Sequence, residues 1–131
     1  METIPHSRPT LGEEELQAVA AVLRSGQVAQ GEEVRRFEAA LAASLGAAGA
    51  VAVSSGTAAL HLALLSLNVG EGDEVAIPSF VCAALLQAVR HVRATPVLID
   101  IRPETYNMDV RDLARRLSSR TKAVIVPHMF G

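Results

Sequence analysis

The residues best suited to chemistry are Ser54, Ser55, Gly56 and Thr57, set between an apolar run, Ala50 to Val53, and a leucine-rich stretch. The run reads as a buried strand. Thr57 to Leu67 has helical spacing, with Leu60, Leu64 and Leu67 on one side. A strand-to-helix turn of this kind exposes unpaired N–H groups at the positive end of the helix dipole, a setting that attracts phosphate. Gly56 would let the backbone approach an anion closely. Ser54, Ser55 and Thr57 add hydroxyl donors. The same residue types are also ordinary helix caps, and the turn alone does not decide between the two roles.

The other reactive side chains are scattered. His128 sits just past an apolar run, at the strand end where α/β folds place ligands. A lone histidine there is more often structural than catalytic. Cys82, the only cysteine, excludes an internal disulfide and fits a reducing compartment. His6, His61, His91 and His128 have no ligand spacing, so no metal is assigned. His61 lies along the leucine-bearing helix and reads as a packing residue. Asp100 ends a strand before an Arg-Pro turn, which suits capping better than acid–base work. Glu13 to Glu15 reads as a solvated first turn facing the helix dipole. Lys122, the only lysine, opens a strand at the end opposite the expected ligand crevice.

The elements that must position these residues alternate. Residues 1 to 9 read as an extended arm. Thr10 and Glu13 have capping-box spacing, and the helix that follows puts Leu16, Val19, Ala20 and Leu23 on one face and stops at Ser25-Gly26. A second helix aligns Val34, Phe37, Leu41 and Leu45 and stops at Gly46. Apolar runs then begin near Ala50, Glu74, Pro96 and Lys122 with helical stretches between them. This is the pattern of an α/β fold with largely parallel strands. Ser79 is placed to cap a helix over 80–93, with Ala84, Leu85, Ala88 and Val89 inward. Asp109 is placed to cap a helix ending near Leu117, with Leu113 and Leu117 inward. The 131 residues suit one domain divided into an arm with two helices (1–49) and an α/β part (50–131). Half the residues are hydrophobic and the net charge is −2. Neither nucleic acid nor an anionic membrane is indicated. No signal peptide, membrane span, dinucleotide fingerprint or nucleoside-triphosphate loop is visible. The cytoplasm is the expected location.

Ser54-Ser-Gly-Thr-Ala-Ala-Leu-His-Leu-Ala-Leu64 resembles the signature of the DegT/DnrJ/EryC1/StrS sugar aminotransferases, pyridoxal-phosphate (PLP) enzymes of fold type I. Further segments agree in order. They are Ser25-Gly26 with Gly31 before Phe37-Glu38, Gly70 to Ser79, Pro96 to Asp100 with Tyr106-Asn107, and Thr121 to Gly131. The similarity covers nearly the whole chain, which resembles the N-terminal third of such an enzyme.

The resemblance implies PLP and its amino form PMP as cofactor, with Gly56, Thr57 and Ser55 at the phosphate. It implies Cys82 at the position, four past Pro78, where relatives set an aromatic residue against the cofactor ring. Cys82 is read equally as that ring contact or as a small buried helix residue. His128 matches the family's His-Leu-Tyr-Gly motif, here His-Met-Phe-Gly. The family's cofactor-bearing lysine and the aspartate facing the pyridinium nitrogen are expected beyond Gly131, so no catalytic residue is assigned within the chain. The implied reaction moves an amino group from an amino acid, glutamate being the expected donor, to a nucleotide-linked keto sugar in polysaccharide or deoxysugar biosynthesis. The complete enzyme is expected to be a homodimer. A subset of relatives catalyses dehydration. A non-catalytic fragment acting as a packing module, and an unrelated phosphate-binding α/β module, are the competing readings. Fold type I also implies that Ala50 to Val53 has no neighbouring strand in this chain, while the other three strands pair in parallel.

Overall fold

The computed structural model describes residues 4, 5 and 7–129. His6 and the Phe130-Gly131 end of the last motif lie outside the described residues. Contacts divide the chain into two units, Met1–Ala52 and Val53–Gly131.

The first unit holds helices α1 (Glu13–Ser25) and α2 (Glu32–Leu45). The expected Thr10/Glu13 box is displaced by two residues. Gly12 is the N-cap of α1, and its N–H donates to Glu15 Oε2 at 2.7 Å. Glu15, three residues on, is the acid within reach of that N–H. Both helices end as the sequence indicates. Gly26 (φ 74°) and Gly46 (φ 62°) adopt the left-handed conformation that closes a helix without a Cβ penalty. Within the unit neither helix has a buried residue; Leu16, Val19, Leu23, Phe37, Leu41 and Leu45 are exposed.

Ala50 to Val53 does not form the buried strand read from its apolar run. It has no regular structure, Val51 is 79% exposed, and the Ala52 N–H is taken by the Glu38 carboxylate at 2.8 Å. A strand exists only as one side of a ladder, and no described strand runs beside this segment. This agrees with the expectation that its neighbours are missing from the chain.

The second unit contains α3 (Gly56–Ser66), β1 (Glu74–Pro78), α4 (Ala84–His91), β2 (Thr95–Ile99), α5 (Val110–Arg116) and β3 (Thr121–Val124). The strands form one parallel sheet in the order β2-β1-β3. All five residues of β1 are buried, as befits a central parallel strand covered on both faces. On one face Val75 and Ile77 pack with Leu64, Val69, Leu85, Ala88 and Val89 from α3, α4 and their connections. On the other, Ala76 and Ile99 pack with Met108, and Leu113 of α5 lies against them. Glu74 anchors the start of β1 to the turn before β3. Its carboxylate accepts from Ser118 Oγ at 2.6 Å and Thr121 Oγ1 at 3.2 Å, and pairs with Arg120.

Several local expectations shift. Ser79 does not cap α4. Its N–H donates to Ile99 O at 2.8 Å, so the ladder runs one residue past β1 and the helix starts only at Ala84. Asp109 does cap α5, accepting from the N–H groups of Arg111 and Asp112. Leu67 and Leu117 are 58% and 49% exposed instead of inward. Each sits at the C-cap, one residue past the helix whose period would have turned it to the core.

Candidate functional site

Ser55 is the N-cap of α3, and its Oγ accepts from the Ala58 N–H at 3.1 Å. Its carbonyl accepts from the Ala59 N–H. The N–H groups of Gly56 and Thr57 have no partner among the described residues. They are the orphan donors of a helix start, backed by its dipole. A Cβ built on Gly56 would meet no atom within 4 Å, so the space before the helix is open. Gly56 is not in the left-handed region, and no turn geometry of the chain itself requires a glycine there. Thr57 is half-buried and Ser54 exposed.

The sheet sets where this turn faces. Leu64, near the end of α3, shares a cluster with Val69 and Val75, which lead into and open β1. The α3 helix packs chiefly on α4, and its C-terminal end lies by the start of β1, so its N-terminus is directed toward the end where the parallel strands finish. The segment after Pro78 and the one after Val124 leave from that same end. Cys82 lies in the first. It is exposed, in the turn before α4, which overturns the reading of a buried helix cysteine and leaves its thiol open to a ligand. His128 lies in the second and is also exposed. Open strand ends facing a helix N-terminus are where ligands bind in open α/β sheets.

Two features here were not legible in the sequence as site geometry. Asn107 Oδ1 accepts from the Met129 N–H at 3.2 Å, tying the β2–α5 loop to the segment that carries His128. The rings of Phe80 and Tyr106 meet with centroids 5.5 Å apart, joining the loops after β1 and β2. Both contacts join positions over twenty residues apart in sequence, so no local spacing signals them.

Lys122 is held at the far end of the sheet from the α3 start. Its Nζ donates to Asn68 O at 3.0 Å and Asp73 Oδ2 at 3.1 Å, at the N-terminal end of the sheet. The Gly70 N–H, and after it Lys122, hold the Asp73 carboxyl below its ordinary value of 3.8. Asp100 Oδ1 accepts from the Ile101 N–H at 2.8 Å, the turn-capping role read from the sequence. Among the described residues no group of three or more His, Cys, Asp or Glu could hold a metal. The surface grooves at Gln27–Gly31 and between Arg102 and Arg111 include none of the candidate residues; the corner built by Gly56 and Thr57 is open to solvent.

The parallel sheet and its flanking helices have the α/β fold seen in aminotransferases. The chain belongs to the DegT/DnrJ/EryC1/StrS aminotransferase family, whose sequence profile it matches over residues 9–131. It is 42% identical over 128 residues to the spore coat polysaccharide biosynthesis protein SpsC of Bacillus subtilis, covering 98% of this chain and 33% of that protein. The putative sugar aminotransferase Spr1654 of Streptococcus pneumoniae in its PMP form superposes with a TM-score of 0.91 at 37% identity, over 95% of this chain and 32% of that one. The E. coli GDP-4-keto-6-deoxy-D-mannose-3-dehydratase with bound hydrated PLP superposes at 0.88 with 27% identity, over 96% and 34%. The chain thus spans about a third of the length of these relatives. No described helix is long and apolar enough to cross a membrane.

Proposed function

We propose that the protein carrying this chain is a PLP-dependent aminotransferase that moves an amino group from an amino acid, glutamate in the first instance, to a nucleotide-linked keto sugar. The observation that carries this is the α3 start, where the N–H groups of Gly56 and Thr57 have no partner among the described residues and a Cβ on Gly56 would meet no atom within 4 Å. These residues fit a phosphate. Two orphan donors, the Thr57 hydroxyl and the helix dipole supply four favourable interactions for a dianion. Held there, PLP would supply the amino-group carrier that transamination requires.

The chain's own residues bind and orient. Gly56 and Thr57 hold the phosphate end, and Ser55 keeps the helix start fixed by capping it. Cys82, exposed on the segment after β1, would lie beside the cofactor ring without stacking on it as an aromatic would. His128, on the segment that Asn107 fastens, would face the cofactor from the end of β3. This reading includes a homodimer in the cytoplasm.

The test is made on the complete protein. PLP should bind with absorbance near 400 nm, and glutamate plus a nucleotide-linked keto sugar should give the amino sugar and 2-oxoglutarate. Among the relatives compared, the dehydratase is less similar in sequence than the aminotransferases, which favours amination. A deoxygenated sugar without nitrogen would assign dehydration instead. Failure to bind PLP at all would favour a non-catalytic packing module.

A further inference from the structure

His61, half-buried in the middle of α3, and His91, the exposed last residue of α4, meet edge to face with ring centroids 5.3 Å apart and planes at 65°. Neither belongs to the phosphate corner, which lies at the other end of α4. The two helices are held by a shared core of Leu64, Leu85, Ala88 and Val89, with Leu60 packed on it. The helices that carry the two imidazoles are therefore held together by packing, and the rings meet on that fixed base.

That separation has a chemical meaning. A tetrahedral zinc ion holds imidazole nitrogen at about 2.0–2.1 Å. The ring centre lies about 1.2 Å behind the nitrogen, so two imidazoles on neighbouring corners of the tetrahedron have centroids about 5.2 Å apart. The observed spacing agrees with that of two imidazoles sharing one ion. His91 is open to solvent, so an ion can enter and two waters can complete the shell.

We propose that His61 and His91 form a two-histidine site for a divalent transition metal ion, with zinc as the best geometric match. The ion would clip α3 to α4. It would thereby stiffen the helix whose N-terminus is the anion corner against the helix that follows Cys82. With two protein ligands, the site binds more weakly than the closed four-ligand sites of structural zinc.

The experiment is calorimetric titration of Zn²⁺ into the complete, untagged protein, alongside His91→Asn and His61→Asn. One ion per chain is expected, with affinity lowered roughly tenfold or more in each variant, a difference of at least about 1.4 kcal/mol. X-ray absorption of the zinc-loaded wild type should count two imidazole ligands, a reading that does not depend on how the variants fold. Zinc binding that His91→Asn leaves unchanged, a spectrum without two imidazoles, or no binding up to millimolar zinc would each overturn the proposal.

Discussion

Replacing Gly56 by alanine separates a helix cap from an anion site, because the two roles give opposite signs. In the protein alone the new methyl group meets nothing within 4 Å, and the backbone there is not left-handed. Alanine is therefore tolerated, and it reduces the freedom of the unfolded chain. The expected effect is a stabilisation of about 0.4–1 kcal/mol. The Cα–Cβ bond of a helical residue tilts toward the helix N-terminus. At Gly56 that direction leads into the space where the Gly56 and Thr57 N–H groups converge. The methyl group would then stand where a phosphate oxygen must come within about 2.7–2.9 Å of those donors. A tenfold or greater loss of PLP affinity, about 1.4 kcal/mol, should accompany the unchanged or raised melting temperature. Both are measured on the complete protein, by absorbance titration and by calorimetry. If affinity holds while stability rises, the anion does not sit at this turn and the residues are only a cap. If stability falls sharply, the open space described before α3 is wrong.

Other changes have separate signatures. Thr57→Val keeps the backbone donor and removes only the hydroxyl, so PLP affinity should fall by about 1.5–3 kcal/mol with little change in melting temperature; an unchanged titration would remove Thr57 from the site. Lys122→Met should lower stability by loosening the contacts of Lys122 with Asn68 and Asp73, and leave PLP binding as it was; loss of the cofactor spectrum would show that Lys122 had been misplaced. Acid should unfold the protein through its paired carboxylates. The Ser118 hydrogen bond first, then Arg120 and Thr121, hold the Glu74 carboxyl below its ordinary 4.5. The Asp100 N–H, then Arg116 and Arg115, do the same for Asp112, whose ordinary value is 3.8. A depressed folded-state pKa gives stability that is present above the unfolded value and lost as pH falls through the folded one. Melting temperature should thus begin to drop below about pH 4.5, and Glu74→Gln should flatten that slope; equal slopes would mean the Glu74 pairs do not contribute.

What the sequence determined by itself was local. Periodicity located the starts of β1–β3 and the ends of α1 and α2 to within a residue, because helix period, glycine stops and unbroken apolar runs are properties of neighbouring residues. The candidate anion corner was legible for the same reason, being four consecutive residues at a helix start. The tertiary structure decided whatever needs a partner. Ala50 to Val53 has the composition of a buried strand, yet no described strand takes its backbone groups and Glu38 takes one of them instead. Ser79 looks like a cap but continues the ladder to Ile99. Cys82 could have faced the core or the crevice, and the late start of α4 leaves it exposed. The Asn107–Met129 bond and the His61–His91 contact join residues 22 and 30 positions apart. Side-chain type and spacing cannot encode such contacts, because they arise only when parallel strands bring distant loops and helices to one side of a sheet.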